Sequence, residues 1–302
     1  MTHWHLLDGT NLAFRCFYGV SDLARDDGFP TNAIYGWLRM LWKLQDMESG
    51  RWVVFFDISK SDKRQALLET YKANRPPTPE AFKQQMPYLR ELSGYMGLQV
   101  IERVGVEADD MIAALSRQLS GHGERVTIVS SDKDFGQCLG GNVDQLVPPP
   151  TANPALGWRR FDEATFREKY GVEARQTVDY LSLVGDVSDN VPGIAGVGPK
   201  TAAKWLSEWG SLEGIFSHID ALNPERFRAL LKEQRALLDT NRQLITFEAI
   251  SPADLPELQE FSPQPNALLR VLEELKMDSL IKAAKGRYPQ DKPAVSEQLE
   301  LF

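Results

Sequence analysis

The sequence predicts an α/β protein built on a mostly parallel sheet flanked by helices, and three observations carry that prediction. Arg51-Trp-Val-Val-Phe-Phe56 and Arg125-Val-Thr-Ile-Val129 are short continuous apolar runs, the pattern of strands buried on both faces. Between the runs, apolar residues return at helical spacing, as at Ile34, Leu38, Leu41 and Leu44 or at Ile112, Leu115 and Leu119. Carboxylates follow the runs closely, and the C-terminal edge of an open parallel sheet is where ligands bind.

In chain order, His3 to Leu7 is the first run and ends at Asp8. Gly9-Thr-Asn then opens a stretch that turns helical, and residues 31–47 read as a helix. The strand at Arg51–Phe56 ends at Asp57. Leu98 to Val104 is the third strand candidate, followed by Glu107, and Arg125–Val129 is the fourth, followed by Asp132 and Asp134. Residues 142–160, with Pro148-Pro149-Pro150, read as loop, and the sheet domain is expected to end near residue 170. Beyond it, residues 225–248 read as helix and 251–265 as a proline-containing connection. Asn266 to Ala284 reads as another helix, with Leu268, Leu272, Leu275 and Leu280 in the core. From Lys285 the periodicity is lost, and residues 285–302 are expected to be a tail.

The bulk numbers exclude several classes. At 42% hydrophobic, the 302 residues suffice for a core, yet no run approaches the roughly 18 apolar residues of a membrane span. The first eight residues have neither a basic region nor a small-residue cleavage site, so a signal peptide is not expected. Cys16 and Cys138 lie in no paired motif, which suits free thiols in a reducing cytoplasm, and four scattered histidines show no zinc-ligand grouping. The net charge of −8 argues against nucleic acid, but discounting nine carboxylates as a metal site moves it to +1.

The densest chemistry is Gly105-Val-Glu107-Ala-Asp109-Asp110, three carboxylates in four residues. Taken singly, Asp8, Asp57, Glu107, Asp109, Asp110, Asp132 and Asp134 each suit a helix cap or a turn. Gathered at one sheet edge they would repel one another, and divalent metal is the simplest reason for assembling them. Residues 59–75 carry Lys60, Lys63, Arg64, Lys72 and Arg75, a basic segment suited to a phosphate-bearing substrate or, more plainly, to a solvated loop. Farther on, Gly193, Gly196 and Gly198 precede a helix bearing Lys200 and Lys204 one turn apart. A glycine-rich turn at a helix N-terminus can hold a phosphate with backbone N–H groups without reading sequence.

These pieces resemble one family. Leu-Asp8-Gly-Thr-Asn, Phe-Phe-Asp57, Tyr71-Lys-Ala-Asn-Arg75-Pro-Pro, Gly-Val-Glu107-Ala-Asp-Asp110, Ser-Ser-Asp132-Lys-Asp134 and Gly-Asp186-Val-Ser-Asp189-Asn-Val-Pro-Gly match, in order, the 5′ nuclease domain of bacterial DNA polymerase I and the flap endonucleases. The resemblance runs from about His5 to about Lys282, with no polymerase region after it, and suggests a free-standing member. It implies a PIN-like nuclease domain over 1–170 with a helical arch at about 60–96. It also implies a helical region over 171–284 with a helix-three-turn-helix at about 180–210 that binds duplex DNA. The implied activity is metal-dependent cleavage of DNA 5′ flaps and 5′ ends in replication and repair.

By resemblance, Asp8, Asp57, Glu107, Asp109, Asp110 and Asp132 lie nearest two Mg²⁺ or Mn²⁺ ions, and Asp134, Asp186 and Asp189 complete the site. Lys72, Arg75 and Arg15 would stabilise charge on the scissile phosphate, and Tyr71 would stack on a base. A potassium ion is implied at the carbonyls of Leu183, Val184, Pro192, Ile194 and Val197. Gln298-Leu299-Glu300-Leu301-Phe302 resembles the pentapeptide that docks on the bacterial β sliding clamp, with Gln298, Leu299, Leu301 and Phe302 as its anchors. The alternatives are a weakly active DNA-binding adaptor, disfavoured by the complete acidic set, and a PIN-type ribonuclease, disfavoured by the duplex-binding motif.

Overall fold

The computed structural model describes residues 2–288. The sheet domain runs β1 (His3–Asp8), α1 (Gly9–Gly19), α2 (Asn32–Met47), β2 (Arg51–Phe56), α3 (Asp62–Leu67), α4 (Glu80–Tyr95), β3 (Gln99–Glu102), α5 (Ala108–Gly121), β4 (Arg125–Val129), β5 (Val143–Val147), β6 (Arg159–Phe161) and α6 (Glu163–Tyr170). The helical region follows as α7 (Thr177–Val184), α8 (Pro199–Trp209), α9 (Leu212–Ser217), α10 (Arg226–Glu233), α11 (Arg235–Ile245), α12 (Pro265–Glu274) and α13 (Asp278–Arg287). No helix among the described residues is long and apolar enough to cross a membrane.

The strand order is β3-β2-β1-β4-β5-β6. All neighbours are parallel except β5 and β6. From β1 the chain winds outward to β2 and β3, then returns to place β4 on the other side of β1. The direction of winding therefore reverses between β1 and β4, and their C-terminal ends flank the crevice where such sheets bind ligands. The expected mostly parallel sheet flanked by helices is the one observed.

Alternation along the strands sends Leu7, Val54, Phe56 and Val129 into a core shared with α1, α2, α4, α12 and α13. Leu6, Val53, Phe55 and Ile128 face the opposite side and pack on α5. With both faces covered, the strands need the continuous apolar runs seen in the sequence. No side chain of its own vicinity caps α2, and Gln85 from α4 does so instead, accepting from the N–H groups of Ala33 and Ile34 at 2.8 and 3.2 Å. Trp205, Leu206, Leu183 and Leu238 centre a separate core in the helical region.

The structure differs from the sequence reading in three places. Residues 142–160, expected as loop, contain β5 and β6, where Asp144 pairs with Arg160 and Gln145 donates to the carbonyls of Ser130 and Asp132. Polar groups unsuited to an isolated strand thus find partners in the assembled sheet. The single helix expected over 225–248 is two, α10 and α11, meeting at Gln234. The helix expected over 266–284 is also two, because Lys276 adopts a left-handed backbone at φ 55°. Its second half continues to Arg287, past the point where periodicity fades. Within 60–96 the helix resumes after the prolines, as the sequence reads: α4 buries Phe82, Leu89 and Leu92 in the sheet core and leads to β3 as a crossover helix. Residues 298–302 lie outside the described residues.

Candidate active site

Several of the expected acids also make local capping or turn contacts. Asp8 ends β1 and caps α1, accepting from the Asn11 N–H at 3.2 Å. Asp57 follows β2 and accepts from the Ala108 N–H at 2.8 Å, across the start of α5. Glu107 is the N-cap of α5, with Asp109 and Asp110 in its first turn. Asp132 follows β4 and accepts from the Asp134 N–H at 2.9 Å. Asp186 and Asp189 lie on a tight turn closed by the Asp186–Val191 bridge. The N-termini of α1 and α5 both face the cluster, and their dipoles offset part of its negative charge.

Asp8, Asp57, Asp109 and Asp132 line one cavity of about 440 Å³, together with Lys72 and Arg75. One oxygen from each of Glu107, Asp109 and Asp110 lies within 4.8 Å of the others. Burial, and then the nearby Asp57 charge, raise the Asp8 carboxyl to about 7. Burial next to other carboxylates also raises Asp109 and Asp134 well above the ordinary range, and Asp132 moves the same way. Asp134 Oδ1 is buried with no hydrogen-bond partner, Lys133 Nζ standing off at 3.6 Å. Carboxylates forced together against their own repulsion, one with an orphaned oxygen and none accompanied by cysteine or histidine, fit hard divalent cations.

Four cations stand against this cluster, and two were invisible as such in the sequence. Arg64, there one basic residue among five, is buried and donates to Glu107 Oε2 at 2.8 Å and to both oxygens of Asp110 at 2.7 and 2.8 Å. Asp110 also accepts from the Glu248 N–H at 2.7 Å, so both its oxygens are engaged. Lys133, between two aspartates, donates to Asp186 at 2.7 Å and, against the effect of burial, helps hold that carboxyl low. Lys72 donates to Glu107 at 2.8 Å, and Arg75 to Asp189 at 2.5 Å.

Residues 70–75 are stitched to residues 187–190 along their length. The Lys72 N–H donates to the Asp189 carbonyl at 3.0 Å. Asn74 donates to the Val187 carbonyl at 2.6 Å, Arg75 to that of Ser188 at 3.2 Å, and Asn190 to that of Thr70 at 2.8 Å. Lys72 holds a left-handed backbone at φ 55°, a conformation non-glycine residues adopt where surrounding contacts enforce it.

Two expected roles are corrected. Tyr71 is not placed to stack on a base: it is 3% exposed, and its hydroxyl bridges Glu107 and Asp189 at 3.2 and 3.0 Å. Arg15 does not line the acidic cavity; it borders another of about 630 Å³ with Trp42, Trp158 and Leu280.

The glycine-rich hairpin lies between α7 and α8. Gly193 crosses Gly185 so closely that a Cβ on residue 193 would sit 2.3 Å from the Val184 carbonyl carbon. Asn241 on α11 braces the crossing, donating to the carbonyls of Ser182 and Pro192 at 3.1 and 2.6 Å. Gly198 begins α8 with no capping side chain, and Lys200 and Lys204 are exposed on its first turns. Leu183 and Ile194 carbonyls each accept a backbone N–H, at 2.9 Å, from Ile194 and Val197 respectively.

Comparisons with known proteins agree with this arrangement. Residues 3–171 match the 5′-3′ exonuclease N-terminal resolvase-like domain, and residues 172–267 match the 5′-3′ exonuclease C-terminal SAM fold. A 5′-3′ exonuclease of Aquifex aeolicus is 38% identical over 281 residues, spanning 92% of this chain and 93% of its own. A thermostable DNA polymerase I of Thermus thermophilus is 36% identical over 276 residues, 91% of this chain but 32% of that protein. The T5 5′-exonuclease in a structure with bound zinc has the same fold, with a TM-score of 0.66 over 94% of this chain and 97% of its own at 23% identity. The catalytic core of Rad2 with DNA substrate also scores 0.66, over 95% of this chain and 92% of its own at 14% identity. On these matches the chain belongs to the 5′-3′ exonuclease family.

Proposed function

We propose that this protein is a structure-specific 5′ nuclease that hydrolyses phosphodiester bonds at the 5′ flaps and 5′ ends of DNA during replication and repair. The observation that carries the reading is the convergence of Asp8, Asp57, Asp109 and Asp132 on one cavity with Lys72 and Arg75. Glu107, Asp134, Asp186 and Asp189 surround these four as further oxygen donors. Two Mg²⁺ or Mn²⁺ ions held there would supply Lewis-acid chemistry for in-line displacement at phosphorus.

The chain's own groups divide the remaining work. Lys72 and Arg75 line the same cavity and would hold the non-bridging oxygens of the scissile phosphate. Tyr71 positions them by fixing Glu107 and Asp189. Arg64 neutralises Asp110 and part of Glu107, which keeps the remaining carboxylates compatible with folding. At the hairpin, the uncapped start of α8 with Lys200 and Lys204 would grip duplex phosphates remote from the cut. Carbonyls of Leu183, Val184, Pro192, Ile194 and Val197 would hold a potassium ion beside Gly193, Gly196 and Gly198, joining hairpin to phosphate.

The protein would act as a cytoplasmic monomer. Gln298, Leu299, Leu301 and Phe302 would tether it to the β sliding clamp, raising its concentration at DNA ends. A labelled 5′-flap duplex and a single-stranded RNA of the same sequence, each incubated with and without Mg²⁺, test the assignment. Mg²⁺-dependent release of the flap, with the RNA cut far more slowly, is expected; preferential cutting of the RNA would favour the ribonuclease, and no cutting of either the adaptor.

A further inference from the structure

A second cluster of ligating side chains lies at the opposite end of the sheet. His3 and His5 alternate onto one face of β1, and Glu48 caps the C-terminal end of α2 above them. One ligand atom from each lies within 4.8 Å of the other two. His5 is three residues short of Asp8 on an extended strand, roughly 10 Å along the sheet from the acidic site.

We propose that His3, His5 and Glu48 bind one borderline transition-metal ion of the Zn²⁺ class, at a site distinct from the carboxylate cluster. Two imidazoles and one carboxylate, with water in the remaining position, form a donor set that Zn²⁺ takes and Mg²⁺ does not.

His5 carries the first part of the argument. It is fully buried, and neither ring nitrogen meets a partner in good hydrogen-bond geometry, the Arg51 backbone offering only a loose contact. Buried polar groups are nearly always partnered, because an orphan forfeits its hydration without return. Its Nε2 lies 3.9 Å from Glu48 Oε2, too far for a hydrogen bond but near the roughly 3.3 Å that separates two ligands on a tetrahedral zinc with bonds of about 2 Å.

His3 carries the second part, through its tautomer. Thr127 Oγ1 lies 2.6 Å from Asp144 Oδ1 and 2.8 Å from His3 Nε2. A carboxylate only accepts, so the Thr127 proton goes to Asp144, and Thr127 must accept from His3 Nε2–H. The lone pair of His3 is thereby fixed on Nδ1, the way outer partners orient metal-bound histidines. Trp52 stacks on His5 at 4.0 Å, and a Cβ at Gly50 would come within 3.0 Å of the His5 ring atoms, so the His5 ring is enclosed on those sides. The local charges balance: Glu48 and Asp144 face Arg160, and Arg125 approaches Asp144 at 3.4 Å. Arg160 engages Glu48 through Oε1 and leaves Oε2 toward His5.

The full chain, saturated with Mg²⁺ to occupy the carboxylates, is titrated with Zn²⁺ by calorimetry alongside His3→Gln. The wild-type protein should bind one more Zn²⁺ than the variant, or bind it at least ~10-fold more tightly. Zn²⁺ should raise the wild-type Tm but not that of the variant, and Mg²⁺-dependent nuclease activity should be the same in both. Equal Zn²⁺ stoichiometry and affinity in the two proteins overturns the proposal. Should His3→Gln fail to fold, Co²⁺ added to the Mg²⁺-saturated wild-type protein decides: a ligand-field spectrum of a nitrogen-containing four- or five-coordinate site supports it, and that of octahedral, all-oxygen Co²⁺ refutes it.

Discussion

Arg64 and Asp110 form a buried two-point ion pair, Nη1 to Oδ2 at 2.8 Å and Nη2 to Oδ1 at 2.7 Å. The same guanidinium nitrogen that reaches Oδ2 also holds Glu107 at the start of α5. Arg64→Ala leaves Asp110 charged and buried without its partner, so urea unfolding should show a loss of about 3–5 kcal/mol. Arg64→Lys should recover little, because an ammonium cannot make the paired contact.

Stability of the metal-free protein should fall as pH rises. Asp8, Asp109 and Asp134 all hold their protons more tightly in the fold than the unfolded chain does, because burial and neighbouring carboxylates penalise their charge. Below about 4 both states are protonated and the effect is absent. It grows as the unfolded chain ionises and, for Asp8, is complete once pH passes about 7. Denaturation in EDTA should therefore give a lower unfolding free energy at about pH 8 than at about pH 5.5, the three carboxyls together outweighing the opposite contribution of His5, whose imidazole burial keeps neutral in the fold. Asp8→Asn should flatten the profile, and Mg²⁺ should restore stability at the higher pH.

Lys200→Ala should weaken duplex binding to a similar extent for all sequences, since an exposed lysine at the start of α8 would meet phosphate rather than base edges. The slope of log affinity against log salt should become shallower by about 0.9, the counterion release of one phosphate contact. An unchanged slope removes Lys200 from the interface.

Deleting residues 298–302 should abolish binding to the β sliding clamp in a calorimetric titration while leaving cleavage of a short flap substrate without clamp unchanged. Equal clamp affinity of the full-length and truncated proteins would dismiss the docking motif.

The site was legible in the sequence wherever a residue's chemistry and its place on a strand end coincided. Asp8, Asp57 and Asp132 follow runs that could only be buried strands, and the parallel sheet then carries them to one edge. Arg64 and Lys133 were not legible as counter-ions, because nothing local separates a cation that will be buried against carboxylates from one that will be solvated. Tyr71 took its expected stacking role from the family resemblance, which fixes its type and place but not its burial, and that burial comes from packing with the helical region. β5 and β6 were missed because Asp144, Gln145 and Arg160 are acceptable in strands only once their tertiary partners exist.

The central claim is that acids at the strand ends hold the ions that cut DNA, and Asp132→Asn tests it most directly, removing one ligand charge with almost no change of shape. Single-turnover cleavage of a 5′-flap duplex in Mg²⁺ should fall at least ~1000-fold, about 4 kcal/mol of transition-state stabilisation, while affinity for the same duplex stays within about twofold. Cleavage by the variant at the wild-type rate would contradict the account.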